Sequence, residues 1–193
     1  MAVESGGASL INGMANLLID IKLRDITQTD EQAFEPGKNL ACTQGKVVFQ
    51  NKLMQLIEYT AQSNECYEIP LLIIPPWINK FYILDLQSQN SFVGFLLKSG
   101  HRVFMVSWKN PMHEQADISF DEYLSHGSLK VIEIVKEICG VPLINTLGYC
   151  LGGTLLGITA AWLAKQEKKF RLIPFVCLLQ WSIFRTSAPW ARL

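Results

Sequence analysis

Gly148-Tyr149-Cys150-Leu151-Gly152-Gly153 is the stretch that decides the fold of this chain. The run before it, residues 143–147, is apolar, and the run after it, residues 154–164, is rich in small and apolar residues. A strand, a sharp turn and a helix in that order are typical of a nucleophile elbow, here with Cys150 where the usual G-x-S-x-G motif has serine. The pattern therefore predicts a catalytic thiol at Cys150.

Gly148 and Gly152 are predicted to provide the room that this turn needs. The nucleophile of an elbow takes a strained backbone conformation, and side chains two residues to either side would collide with the strand or the helix. The pentapeptide G-x-C-x-G is a weak signal by itself, because it arises often by chance. The apolar strand before it and the helix after it are what favour the catalytic interpretation.

Composition excludes several classes of function. The chain has 193 residues and no net charge, so it lacks the basic surface of a nucleic-acid-binding protein. Its five cysteines show neither a C-x-x-C pair nor the spacing of a zinc site, which favours reduced thiols in a cytosol and no bound metal. No secretion signal and no apolar run of about 20 residues is present. We therefore expect a soluble, cytoplasmic protein without a transmembrane segment.

Strands alternate with helices along the chain, and this order predicts an α/β fold with a mostly parallel sheet. The Ser119-Phe120-Asp121-Glu122 tetrapeptide fits a capping box at the start of one helix. The predicted strands are residues 47–49, 53–60, Leu71–Ile74, Val103–Trp108 and 143–147, and the predicted helices are residues 10–21, Phe92–Lys98, 119–139 and 154–164. The second strand is also compatible with a helix by composition.

Several blocks resemble the polyhydroxyalkanoate synthases, particularly the class I enzymes, and the resemblance covers about residues 4 to 168. The blocks are PPWINKFYILDL at 75–86, GHRVF at 100–104, SWKNP at 107–111, GYCLGGT at 148–154 and, upstream, QTDEQAFE at 28–35 and GKNLA at 37–41. They follow the order of the family, which differs in having cysteine at the position of Trp77. The resemblance implies the N-terminal part of an α/β-hydrolase fold, up to and including the elbow.

The resemblance also implies an acyltransferase that polymerises 3-hydroxyacyl-CoA into polyester. The Cys150 thiolate would take the acyl group from the coenzyme A thioester, with no other cofactor, and the hydroxyl of the growing polyester would then attack the acyl-enzyme. The N–H of Leu151 and an N–H near Ile78 are predicted to form the oxyanion hole. The family is associated with homodimers at the surface of polymer granules in the cytoplasm.

The acid and the base that should complete the site are not found after Cys150. In this fold they follow the nucleophile in the order acid, then histidine. No Asp or His follows Cys150, and Glu167 is the one acid there. We therefore expect an inactive chain. Two alternatives stay open: a thiol hydrolase of the same fold acting on esters or thioesters, and a non-catalytic fragment that associates with an intact synthase.

Three regions are predicted: residues 1–45 as a partial pre-catalytic region, 46–169 as the N-terminal part of the catalytic domain, and 170–193 as an atypical tail. The tail carries Pro174 inside what should be a strand, which suggests a truncated fragment with a shifted reading frame. Asp85 is interpreted as a helix cap. The three histidines, His101, His113 and His126, are interpreted as surface or structural residues.

Overall fold

A computed structural model gives the structure of this chain, and it describes residues 3–24, 26, 33–166 and 172–178. The main elements, in chain order, are α1 (Ala8–Leu23), β1 (Gly45–Gln50), β2 (Met54–Tyr59), β3 (Leu71–Ile74), β4 (Asp85–Gln87), β5 (Asn90–Ser91), α2 (Phe92–Lys98), β6 (Val103–Trp108), α3 (Phe120–Glu122), a π-helical segment (Tyr123–Leu129), α4 (Lys130–Cys139), β7 (Ile144–Tyr149), α5 (Leu151–Lys165) and β8 (Leu172–Leu178). The predicted strands and helices are therefore confirmed within a few residues, and the second strand is a strand.

Six strands form one sheet in the order β1-β2-β6-β3-β7-β8. β1 pairs with β2, and β2 with β6, in antiparallel orientation, whereas β6, β3, β7 and β8 run parallel to one another. Counted within this sheet, the order is first, second, fourth, third, fifth, sixth, which is the arrangement of the α/β-hydrolase fold. Since parallel strands end at one edge, the loops after β3, β6 and β7 lie along the same side of the sheet.

Helices cover both faces of the sheet. In β3, Leu72 and Ile74 face a core shared with α4 and α5, whereas Leu71 and Ile73 face a second core shared with α2. All four side chains are buried, as the continuous apolar run predicts for a central parallel strand. The two cores fix β3 from both sides, and β3 ends next to the elbow.

The pre-catalytic region is joined to the sheet domain through Asp85, whose carboxylate does not cap the start of a helix as predicted. Asp85 is 1% exposed and accepts hydrogen bonds from the hydroxyls of Thr43 and Ser91, both at 2.6 Å. The cap of α2 is Ser91 instead, because its Oγ accepts a bond from the N–H of Gly94 at 2.8 Å. Asp85 therefore supports the cap indirectly, because its buried carboxylate orients the hydroxyl of Ser91, which caps α2, together with that of Thr43.

The described part of the tail forms an edge strand, contrary to the expectation from Pro174. β8 pairs in parallel with β7, and the register shifts between Asn145 and Leu147, so that Pro174 and Phe175 lie opposite Thr146. A bulge on an edge strand is where proline is tolerated, because its missing N–H removes no ladder bond. Residues 179–193 lie outside the described residues, and the reading-frame hypothesis stays a prediction.

The predicted helix at residues 10–21 and the predicted capping box at Ser119 are both found. α1 begins at Ala8 and none of its residues is buried. At the start of α3, the Glu122 carboxylate accepts a bond from the N–H of Ser119 at 2.9 Å, which is the return half of the predicted capping box. Among the described helices, none is long and apolar enough to cross a membrane.

We predict that Asp85→Ala lowers the free energy of unfolding by about 3 kcal/mol, because the half-buried hydroxyls of Thr43 and Ser91 lose their buried acceptor. Urea unfolding followed by tryptophan fluorescence measures the change. The matched control is Asp117→Ala, since Asp117 is exposed, and its expected effect is within about 0.5 kcal/mol. Equal unfolding midpoints for the two variants would contradict a structural role of Asp85.

Candidate active site

Cys150 occupies a strained turn between β7 and α5. Its backbone has φ 54° and ψ −123°, and a positive φ is uncommon for any residue with a side chain. The N–H of Gly153 donates to the carbonyl of Cys150 at 2.9 Å and closes the turn. The predicted elbow is therefore present as a backbone conformation, and the role of Cys150 as nucleophile stays a prediction.

The two elbow glycines have no room for a side chain. A Cβ atom on Gly152 would collide with the carbonyl of Ile74 and would lie 3.0 Å from the carbonyl carbon of Pro75. A Cβ atom on Gly148 would collide with the backbone of Gly153, 2.6 Å from its nitrogen. The first turn of α5 is therefore packed directly on the end of β3, backbone against backbone.

The Cys150 thiol is half-buried and forms no disulfide. It lies at the N-terminus of α5, a helix of 15 residues, where unpaired backbone N–H groups carry a partial positive charge. In the described part of the chain, no hydrogen bond joins it to a histidine or a carboxylate. Burial raises the pKa of the Cys139 thiol, which lowers the fraction of that thiol present as thiolate.

The predicted oxyanion donors, the N–H groups of Leu151 and Ile78, belong to segments at the same edge of the sheet. Leu151 is the first residue of α5, so its N–H has no acceptor inside the helix. Ile78 follows β3 by four residues, and the end of β3 pairs with the elbow strand through Ile74 and Gly148. Ile78 is 67% exposed, so this loop lies at the surface.

Four aromatic rings, which we call the aromatic cluster, surround the loop after β3. Trp77 contacts Trp108, Phe120 and Tyr123 at ring-centre distances of 6.3, 5.8 and 5.4 Å. The indole N–H of Trp108 donates to the carbonyl of Pro75 at 2.8 Å. Only Trp77 stood out in the sequence; the other rings come from β6, α3 and the π-helical segment, which no local pattern brings together.

The histidines divide between the two edges of the sheet. His101 precedes β6 and packs against Tyr67 with ring centres 4.9 Å apart. Since β6 is six residues long, His101 lies about 20 Å from the edge that holds the elbow. His113 follows β6, and the carbonyl of His126 accepts a bond from Asn51 at 2.8 Å; both side chains are exposed. The structural interpretation of His101 is consistent with this placement.

Among the described residues, no group of three or more His, Cys, Asp or Glu side chains could hold a metal ion. The strand order and the elbow together define an α/β-hydrolase fold with cysteine at the nucleophile position.

Comparisons with known proteins identify the family. The family described as poly-beta-hydroxybutyrate polymerase (PhaC) N-terminus matches residues 1–96. Poly(3-hydroxyalkanoate) polymerase subunit PhaC of Cupriavidus necator is 44% identical over 166 residues, which are 86% of this chain and 28% of that protein. This chain belongs to the poly(3-hydroxyalkanoate) polymerase family.

Two further similarities show how much of this chain, and how much of each similar protein, is aligned. Poly(3-hydroxyalkanoate) polymerase 2 of Ectopseudomonas oleovorans is 41% identical over 189 residues, which cover 96% of this chain and 34% of that protein, so the alignment extends into residues 170–193. This chain thus spans about a third or less of the length of these relatives. An epoxide hydrolase from Vigna radiata superposes with a TM-score of 0.44 at 13% identity, over 70% of this chain and 39% of that one.

We predict that Gly152→Ala destabilises the chain by at least about 3 kcal/mol, because the new methyl group would meet the backbone of β3, which cannot move aside. Gly13→Ala is the matched control: Gly13 lies in α1 with nothing within 4 Å of the added atom, and its effect should stay within about 1 kcal/mol. Thermal unfolding followed by circular dichroism compares the two. A Gly152→Ala chain as stable as the control would refute the close packing of α5 on β3.

Proposed function

We propose that this chain is an acyltransferase of polyester synthesis, in which Cys150 accepts a 3-hydroxyacyl group from a coenzyme A thioester. The observation that carries the proposal is the strained conformation of Cys150 between β7 and α5. A non-glycine residue keeps such a conformation only where the surrounding structure enforces it, and such positions cluster at reactive sites. The names of the relatives, which are poly(3-hydroxyalkanoate) polymerases, support the same reaction.

The acyl transfer follows from the geometry of the elbow. The thiolate of Cys150 attacks the carbonyl carbon of the thioester, a C–S bond to the enzyme forms, and coenzyme A leaves as its thiolate. The N–H groups of Leu151 and Ile78 would stabilise the negative charge that develops on the carbonyl oxygen. The hydroxyl of a second acyl group, or of the growing polyester, then attacks the acyl-enzyme and regenerates the thiolate.

A general base must remove the proton of that attacking hydroxyl. The chain contains three histidines, none of them after Cys150, and His101 lies at the opposite edge of the sheet. We therefore propose that the 193-residue polypeptide, tested by itself, completes at most the first transfer and does not turn over. Association with a second copy or with an intact synthase would supply the missing base, and we propose the cytoplasm and the granule surface as the location.

Hydrolysis is the alternative fate of the same acyl-enzyme, with water in place of the hydroxyl. The half-buried thiol is open enough for either acceptor. The two reactions share every step up to the acyl-enzyme and differ in their product. Product analysis therefore separates them.

We predict that the purified chain, given 3-hydroxybutyryl-CoA, releases coenzyme A in a burst of at most one equivalent per chain and makes no polymer. Cys150→Ala should abolish the burst. Cys66→Ala, which removes an exposed thiol, should leave it unchanged. A thiol reagent that absorbs on reaction with free coenzyme A follows the release.

Each other outcome would change the proposal. Sustained release with polymer would show that the chain has a working base. Sustained release with free 3-hydroxybutyrate would favour the hydrolase. The absence of a burst, with Cys150 still able to react with an alkylating agent, would contradict the acyltransferase.

A further inference from the structure

A buried hydrogen bond holds the loop that carries Ile78. Trp108, the last residue of β6, is 8% exposed, and its indole N–H donates to the carbonyl of Pro75 at 2.8 Å. Pro75 and Pro76 are both buried at the end of β3. A buried carbonyl beyond the end of its strand needs a donor, and the indole of Trp108 supplies it.

The π-helical segment contacts the indole of Trp108 and restricts its position. A Cβ atom on Gly127 would lie 3.0 Å from Cη2 of Trp108, so the π-helical segment presses its backbone against the ring. The next residue, Ser128, shares a hydrogen bond of 2.7 Å with Thr159 of α5, and both side chains are fully buried. The π-helical segment is therefore fixed between the indole and the elbow helix.

These contacts form a closed circuit around the elbow. α5 contacts the π-helical segment through Thr159, the segment contacts Trp108 through Gly127, and Trp108 binds Pro75. Pro75 in turn lies against Gly152 in the first turn of α5. Two routes thus fix the loop after β3 relative to Cys150. The first is the direct contact of Pro75 with Gly152, and the second runs through the π-helical segment and ends in the hydrogen bond from Trp108 to Pro75.

We propose that Trp108 is a positioning residue for the oxyanion hole. Its N–H fixes the carbonyl of Pro75, and through the three residues that follow, it fixes the N–H of Ile78 relative to Cys150. Without the indole donor, the Pro75 carbonyl must find another partner, and the loop shifts. An oxyanion donor contributes only when it is held at hydrogen-bond distance from the developing charge. The inference rests on the proposed function.

Two reactions of the Cys150 thiol distinguish a displaced oxyanion hole from a general loss of structure or of thiol reactivity. With p-nitrophenyl butyrate, the Cys150 thiolate attacks the carbonyl carbon, the C–S bond forms, the ester C–O bond breaks, and p-nitrophenolate leaves; the transition state carries an oxyanion. With iodoacetamide, the thiolate forms a C–S bond and displaces iodide, and no oxyanion arises. The ratio of the two rates therefore reports on the oxyanion hole and is independent of the fraction of thiolate.

The test compares this ratio among variants of the whole chain, measured by mass spectrometry on the peptide that contains Cys150. Trp108→Phe keeps an aromatic ring but loses the N–H, and the ratio should fall by about tenfold. Gly127→Ala, which pushes the indole from behind, should lower it as well. Trp162→Phe is the matched control, because Trp162 is 37% exposed and makes none of the contacts of the circuit named above, and its ratio should equal that of the wild type.

The outcomes distinguish the inference from the function on which it rests. A wild-type ratio well above that of N-acetylcysteine, retained by Trp108→Phe, would overturn the positioning role alone. A Trp108→Phe chain in which both rates fall together would do the same, because the ratio would not move. A wild-type ratio equal to that of N-acetylcysteine would contradict the oxyanion hole, and the proposed function with it.

Discussion

Gly152 lies against the carbonyl of Ile74, and this contact between two backbones determines how the rest of the structure can be arranged. It places the first turn of α5 on the end of β3. In the sheet, β3 is the neighbour of β7, the strand that leads into the elbow. The chain must then reverse within the elbow, which leaves Cys150 at φ 54°. Such a conformation costs on the order of 1–3 kcal/mol. The surrounding packing has to offset that cost.

The packing that does so comes from the two faces of the sheet. Leu155 and Leu156 of α5 are fully buried in the same core as Leu72 and Ile74. Fully burying side chains of this size stabilises a fold by about 1.5–3 kcal/mol each. The free-energy cost of the strained backbone at Cys150 is therefore small compared with the stabilisation that the buried side chains of this core provide. The aromatic cluster and the buried pair of Ser128 and Thr159 add directional contacts on the same side of the sheet.

The sequence predicted what depends on local pattern. Apolar runs identified β3 and β6, and the glycine spacing identified the elbow, because both signals lie within a few residues. It failed where a residue acts across the fold: Asp85 bonds to Thr43, 42 residues away, and Pro174 is accommodated only because β8 is a bulged edge strand. The bond from Trp108 to Pro75 spans 33 residues. No period or motif connects such positions, so the circuit around Cys150 became visible only in three dimensions.

The central claim is that the elbow, and not mere exposure, makes Cys150 the acyl acceptor. Cys66 is more exposed than Cys150. Exposure alone would therefore favour acylation of Cys66, whereas the strained elbow favours acylation of Cys150. The most direct measurement is peptide mapping after incubation with 3-hydroxybutyryl-CoA, by mass spectrometry at a pH that preserves thioesters. The account predicts one 3-hydroxybutyryl group, on the peptide that contains Cys150. An acyl group found on Cys66, or spread over the cysteines in proportion to their exposure, would contradict it.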